Sequence, residues 1–330
     1  MSDLTSEQSA AMDFLGEQSN EMTRESNLER WKCNIVLNRE FFSKGNPSIP
    51  GMATFVVAAG PSLEKNVEEL KAVSGRGTIL VLDAALRFVL SRGVKPEFCM
   101  MIDGSSEIGK MIEGCDTEGI TLICTPSASP ECIAAWKGPR YFVNTPASPV
   151  RRYNFTPLTR IVKAVKDIKE GDLLFLDESY KVEFGGVEAK IMCGGNVSTA
   201  AHSFANNRIG ASKVIFCGLD LSWRFDSHHY AGYEHEDGAR KRTMGTGGEH
   251  CDVNGERVLT NLSLLAFKRW HEQVAAAFPG SVVNATEGGI LGVKQDGSKL
   301  ETMEFMTLKE AVSKYAGPVS HEGGRLLAGV

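Results

Sequence analysis

Nothing in this 330-residue chain approaches the roughly 20 consecutive apolar residues that a membrane-spanning helix requires. Its first thirty residues are polar and acidic and contain no apolar h-region, so no secretory signal is expected there. The eight cysteines include no Cys-x-x-Cys pair, and Cys99, Cys124 and Cys217 lie inside apolar runs. That pattern speaks against a zinc ribbon or thioredoxin-like motif and predicts buried free thiols in a reducing, cytoplasmic setting. With a net charge of −5 the chain has no overall basic field, and no nucleic-acid partner is expected. There is no internal repeat, no Gly-x-Gly-x-x-Gly and no Walker loop.

What is present is an ordinary globular composition, 42% hydrophobic and 23% charged, in a chain long enough for a large core. Short apolar runs predict strands at 54–58, 78–82, 98–102, 121–124, 141–143, 173–176, 214–217 and 282–283. Helical patterns lie between many of them, at 63–73, 84–92, 130–136, 197–208 and 259–278. Strands alternating with helices need crossover connections, so the expected class is α/β, a Rossmann-like, mostly parallel sheet with helices on both faces. Residues 1–30 are expected to form a mobile arm and residues 31–50, with Trp31, Ile35 and Phe41, a docking segment. Residues 51–300 are read as the catalytic domain and residues 301–330 as a C-terminal helix and tail. The polar, His- and Arg-rich run 222–256 reads as a long loop of the lid type.

The residues that follow the strands are small or polar: Gly60-Pro61-Ser62, Asp83, Asp103, Thr125-Pro126-Ser127, Asn144-Thr145, Asp220 and Asn284. In open parallel sheets a ligand binds beyond the carboxyl ends of the strands, so these residues form the candidate site. Gly60, Pro61 and Ser62 read as a strand–turn–helix phosphate loop, with Ser62 expected to cap the helix. A second loop of the same kind is Gly194-Gly195-Asn196, with a strand expected at 188–192 before it and Asn196 or Ser198 capping the helix after it.

With those two loops in place the chain resembles the MptE-like family, which includes the motility accessory factor (Maf) glycosyltransferases. The segments that carry the resemblance are Ala59-Gly-Pro-Ser-Leu-Glu-Lys-Asn66, Asp83-Ala-Ala-Leu86 and Gly93-Val-Lys-Pro-Glu-Phe-Cys-Met-Met-Ile-Asp103, then Gly194-Gly-Asn-Val-Ser-Thr-Ala200 and Lys213-Val-Ile-Phe-Cys-Gly-Leu-Asp-Leu221. The family fold is similar to that of bacterial CMP-sialic-acid sialyltransferases, where a His-Tyr pair follows a Gly-x-Asp strand. Here Gly218-Leu-Asp220 is followed by His228-His229-Tyr230. The chain lacks the long flanking regions of Maf proteins, which leaves the acceptor open.

The resemblance implies a nucleotide-activated small-molecule donor, with a glycan, a protein or a pterin-like alcohol as acceptor; it is compatible with homo-oligomers. On the glycosyltransferase reading a CMP-activated nonulosonic acid is transferred to a hydroxyl without further cofactor. His229, or His228 in its place, is then the general base and Tyr230 a donor to the leaving phosphate, because imidazole titrates near neutrality. Arg240 and Arg242 would neutralise phosphate or a sugar carboxylate. On the alternative reading the chain moves pyrophosphate from ATP to a hydroxymethylpterin-like alcohol, with Mg2+ held by Asp103. Asp83 and Asp220 would join Asp103 at the metal on that reading or hold ribose hydroxyls on the glycosyltransferase reading, and Asn144 and Thr145 would read the base or ribose. A third reading is a nucleotide-binding scaffold without catalysis.

Overall fold

The computed structural model of the chain describes residues 52–143, 191–224 and 247–318, together with Thr145 and most of residues 27–41. Eight parallel strands form the main sheet: β1 (Thr54–Val57), β2 (Thr78–Leu82), β3 (Phe98–Met101), β4 (Thr121–Cys124), β5 (Arg140–Phe142), β6 (Val214–Cys217), β9 (Val282–Asn284) and β10 (Glu304–Phe305). Their spatial order is β10-β9-β6-β1-β2-β3-β4-β5. The chain therefore leaves β1 toward β2 on one side and later returns to pair β6 on the other. The gap between β1 and β6 is the topological switch point, the usual ligand crevice of such sheets.

The apolar runs are continuous because both sheet faces are covered. Phe55, Val57, Val81, Cys99 and Leu122 face one layer, made by α1 (Leu63–Asn66), α2 (Asp83–Ser91), α3 (Glu107–Ile112), α4 (Pro130–Ala135) and α7 (Leu308–Tyr315). Val56, Leu80, Phe98, Met100 and Phe216 face the other, where α5 (Val197–Phe204) contributes Ala200, Ala201 and Phe204, and α6 (Leu262–Ala277) contributes Ala275. Alternate residues of one strand thus serve opposite layers, as the two-residue period of a strand requires.

Several expectations are revised. The run 63–73 is α-helical only over Leu63–Asn66 and continues as a 3-10 helix, Val67–Val73. The helix expected at 259–278 starts at Leu262, because Asn261 caps it through Leu264 N–H, and the residues before it form β8 (Arg257–Asn261). β8 pairs in antiparallel fashion with β7 (Gly247–Cys251), so the second part of the expected lid is a ribbon. Ile191 and Met192 are not in a strand. The strand expected at 173–176 and residues 225–246 lie outside the described residues.

Two side chains anchor the N-terminal segment. Asn34 donates to the carbonyls of Gly104 and Ser127, both at 3.0 Å, and Asn38 to those of Pro126 and Ala128, both at 2.9 Å. These carbonyls belong to the loops after β3 and β4, so the helical residues between 31 and 38 rest on that end of the sheet.

Candidate functional site

At the switch point β1 runs out into Gly60-Pro61-Ser62 and β6 into Gly218-Leu219-Asp220. The two turns are tied together: Gly60 N–H donates to Gly218 O at 2.7 Å, and Ser62 N–H donates to Asp220 Oδ2 at 3.0 Å. The Ser62 hydroxyl donates to the other carboxylate oxygen. Ser62 makes no side-chain cap to its helix, contrary to expectation, because its hydroxyl has this buried carboxylate to serve. A Cβ on Gly60 would stand 2.5 Å from Asp220 Cγ and from Gly218 O, so the turn closes only with glycine there.

Asp220 is buried, and desolvation pushes its carboxyl up to about 6 against the opposing Ser62 hydrogen bonds. The turn after β9 completes the cluster, with Ile290 N–H on Asp220 O at 2.8 Å. Asn284 holds that turn, donating to Leu291 O at 2.8 Å and accepting from Thr286 N–H at 2.9 Å. Leu221 and Glu287 both adopt positive φ, 53° and 59°. Left-handed backbone in non-glycine residues stores strain; among the described residues the two cases are the neighbour of Asp220 and a residue of the turn packed on it.

One strand further along, Asp83 opens α2 at the end of β2 and accepts from Ala84 N–H at 2.8 Å. Burial raises its carboxyl to about 7, and the charge of Asp103, at the end of β3, adds to the shift. Asp103 is exposed and accepts from Ser105 N–H at 2.8 Å. Oxygen ligands of this kind suit a hard divalent cation. Among the described residues no group of three or more His, Cys, Asp or Glu side chains is placed to hold a metal ion.

The second glycine loop is built differently. Asn196 caps α5, its carboxamide oxygen accepting from Thr199 N–H at 3.0 Å, as expected. Gly194 N–H donates to Thr199 Oγ1 at 2.8 Å, and a Cβ on Gly194 would lie 2.5 Å from Trp270 Cγ. Beneath this turn lie two histidines that sequence reasoning missed. His202 of α5 and His271 of α6 meet at 3.0 Å between their Nδ1 atoms, in planes 14° apart. His271 Nε2 lies 3.0 Å from Ser198 Oγ. Burial lowers both imidazoles, His202 to about 3. The only signal for them was a histidine on each of two helices that pack together.

His228, His229, Tyr230, Asn144, Arg240 and Arg242 lie outside the described residues. A cavity of about 500 Å3 lined by Arg87, Lys95, Glu113 and Cys115 lies between the C-terminal ends of α2 and α3, away from the strand ends that carry Asp83 and Asp103. No helix among the described residues is long and apolar enough to cross a membrane.

A parallel α/β sheet whose glycine turns and buried carboxylates gather at the switch point defines a Rossmann-like protein. Residues 26–226 match the family described as 6-hydroxymethylpterin diphosphokinase MptE-like, and the chain belongs to that family. An uncharacterized protein of Treponema pallidum (strain Nichols) is 31% identical over 77 residues, which is 22% of this chain and 37% of the relative. A Maf glycosyltransferase from Magnetospirillum magneticum AMB-1 shares the fold, with a TM-score of 0.56 and 16% identity, over 86% of this chain and 39% of that one. The chain thus spans well under half of either protein.

Proposed function

We propose that the chain is a nucleotide-dependent transferase, and within that class a glycosyltransferase that moves a CMP-activated nonulosonic acid onto a hydroxyl. The observation that carries this reading is the constellation at the switch point, where Gly60, Ser62 and Asp220 are locked together beside two strained residues. Its fold likeness to a Maf glycosyltransferase agrees with it. Because Ser62 commits both its donors to Asp220, and Gly60 N–H is held by Gly218 O, the turn from Gly60 to Ser62 offers a ligand close approach rather than hydrogen-bond donors. The phosphate is assigned to the turn Gly194-Gly195-Asn196 at the N-terminus of α5, where the glycines allow close approach and Asn196 supplies the donors, with Arg240 and Arg242 adding positive charge. His229 takes the acceptor proton, with His228 as substitute, and Tyr230 donates to the departing nucleotide phosphate. Asn144 reads the base.

A second reading, transfer of pyrophosphate from ATP to a pterin-like alcohol, is favoured by the neighbouring carboxylates of Asp83 and Asp103. Those two would hold Mg2+ against the phosphates. Thermal unfolding across a nucleotide panel separates the two. Ligand at about 100 times its dissociation constant should stabilise by roughly 2.7 kcal/mol. Stabilisation by CMP or CDP without metal is expected. Stabilisation by ATP or AMP only with magnesium would replace the first reading by the second, and no shift with any nucleotide would overturn both.

A further inference from the structure

The buried histidines form a directed chain, and donor logic fixes its sense. Asn196 Oδ1 accepts from Thr199 N–H, which identifies that atom as the carboxamide oxygen. A carboxamide oxygen cannot donate, so the 3.0 Å contact between Ser198 Oγ and Asn196 Oδ1 uses the one hydroxyl hydrogen of Ser198. His271 Nε2 must then carry the hydrogen in its own 3.0 Å contact with Ser198 Oγ. A neutral His271 presents a lone pair at Nδ1, and His202 Nδ1–H donates into it at 3.0 Å. The chain begins at His202 Nε2, a buried atom with no partner among the described residues.

We propose that His202 and His271 are positioning residues, which act through Ser198 to hold Asn196 and the Gly194–Gly195 turn in one conformation. Two consecutive glycines would otherwise leave this turn among the most adaptable parts of the chain. α6 holds it twice over: Trp270 lies against Gly194, and His271, the next residue, reaches Ser198. The histidines touch no substrate on this reading. Their consequence for nucleotide binding rests on the function proposed above; the chain of hydrogen bonds does not.

The first test is tautomeric. Long-range 15N–1H spectra are expected to show His202 as the Nδ1–H form and His271 as the Nε2–H form, both neutral at pH 7. The opposite tautomers, or an imidazolium at either position, would overturn the proposal. The second test is hydrogen exchange at the Gly194 and Thr199 amides in the full chain. Ser198→Ala and His271→Leu should each speed exchange there about five- to tenfold, the effect of losing one modest hydrogen bond. His271→Gln, which keeps a donor for Ser198, should restore the slow rate. Unchanged exchange in Ser198→Ala, a substitution with little packing cost, would sink the idea even if His271→Leu fails to fold. CMP titration then separates the two layers. A wild-type chain that binds neither CMP nor ATP with magnesium defeats the proposed function, while the exchange rates still decide the positioning role. If CMP binds, Ser198→Ala should weaken it several-fold at matched folded fraction, and equal affinity would count against positioning.

Discussion

The turns Gly60-Pro61-Ser62 and Gly194-Gly195-Asn196 read alike in sequence, each a small-residue break between an apolar run and a helix, yet they are put to different uses. In the first, the polar side chain turns away from its helix to a carboxylate 158 residues along the chain. In the second, the polar side chain turns into its own helix and caps it. The difference lies in what the neighbouring strand supplies. β6 ends in Asp220, whose buried carboxylate needs donors more than a four-residue helix needs a cap. No described carboxylate bonds to Asn196, so its side chain serves the backbone. Local pattern marks a turn; the long-range partner decides its work.

Substituting the glycines breaks this comparison most sharply. In Gly60→Ala the new Cβ meets the backbone oxygen of Gly218 and the Asp220 carboxylate, both at 2.5 Å, and neither can withdraw without undoing the β1–β6 junction. In Gly194→Ala it meets the half-buried Trp270 ring at 2.5 Å, a side chain that can shift on α6. We expect Gly60→Ala to cost about 3 kcal/mol or more and Gly194→Ala about 1–2 kcal/mol in urea unfolding. Equal costs would mean that the first junction is as soft as the second.

The two regions also differ in the sign of their pH dependence. Asp83 and Asp220 have folded values near 7 and 6, above the ordinary 3.8. The native state therefore keeps protons that the unfolded chain releases, and this contribution to stability is full below pH 3.8 and lost as pH rises through 6 to 7. His202 and His271 have folded values far below 6.5. There the unfolded chain takes up protons that the native state refuses, so stability is lost as pH falls below 6.5. Between pH 4.5 and 6 the two effects oppose each other. Asp83→Asn removes one opposing group, so stability should rise with pH more steeply than in wild type, by up to about 1.4 kcal/mol per pH unit. Urea midpoints across that range measure the slope. A variant slope equal to wild type would place Asp83 in a solvated setting.

Much of the sheet was legible because burial on both faces writes strands as unbroken apolar runs; β2, β4 and β6 fall where the hydrophobicity places them. α3 was not, since only Ile108 of its six residues is buried and no periodicity survives in so short a helix. β7 was not, because Gly-Gly-Glu-His-Cys has little strand character and owes its form to pairing with β8. At the site, Gly60, Ser62, Asp83 and Asp220 stood out singly as polar groups after strands. Their mutual bonds are tertiary and invisible to local pattern. The histidine pair was hidden for the same reason, its partners being 69 residues apart on helices that read as ordinary core.

The smallest effects sharpen the comparison where it bears on function. Ser62→Ala leaves one oxygen of a buried carboxylate without its hydroxyl donor, which should cost about 2 kcal/mol. Asn196→Ala removes a helix cap, which should cost about 1 kcal/mol, and Asn196→Asp should recover most of that because aspartate caps as well as asparagine. Nucleotide affinity is expected to run the other way. Asn196→Asp keeps the cap but sets a negative charge beside the phosphate, so it should bind CMP more weakly than Ser62→Ala although it is the more stable protein. Isothermal titration on the two variants at matched folded fraction decides it. Tighter binding by Asn196→Asp would move the phosphate away from α5 and return it to the turn at Gly60, where Asp220 would have to yield its place.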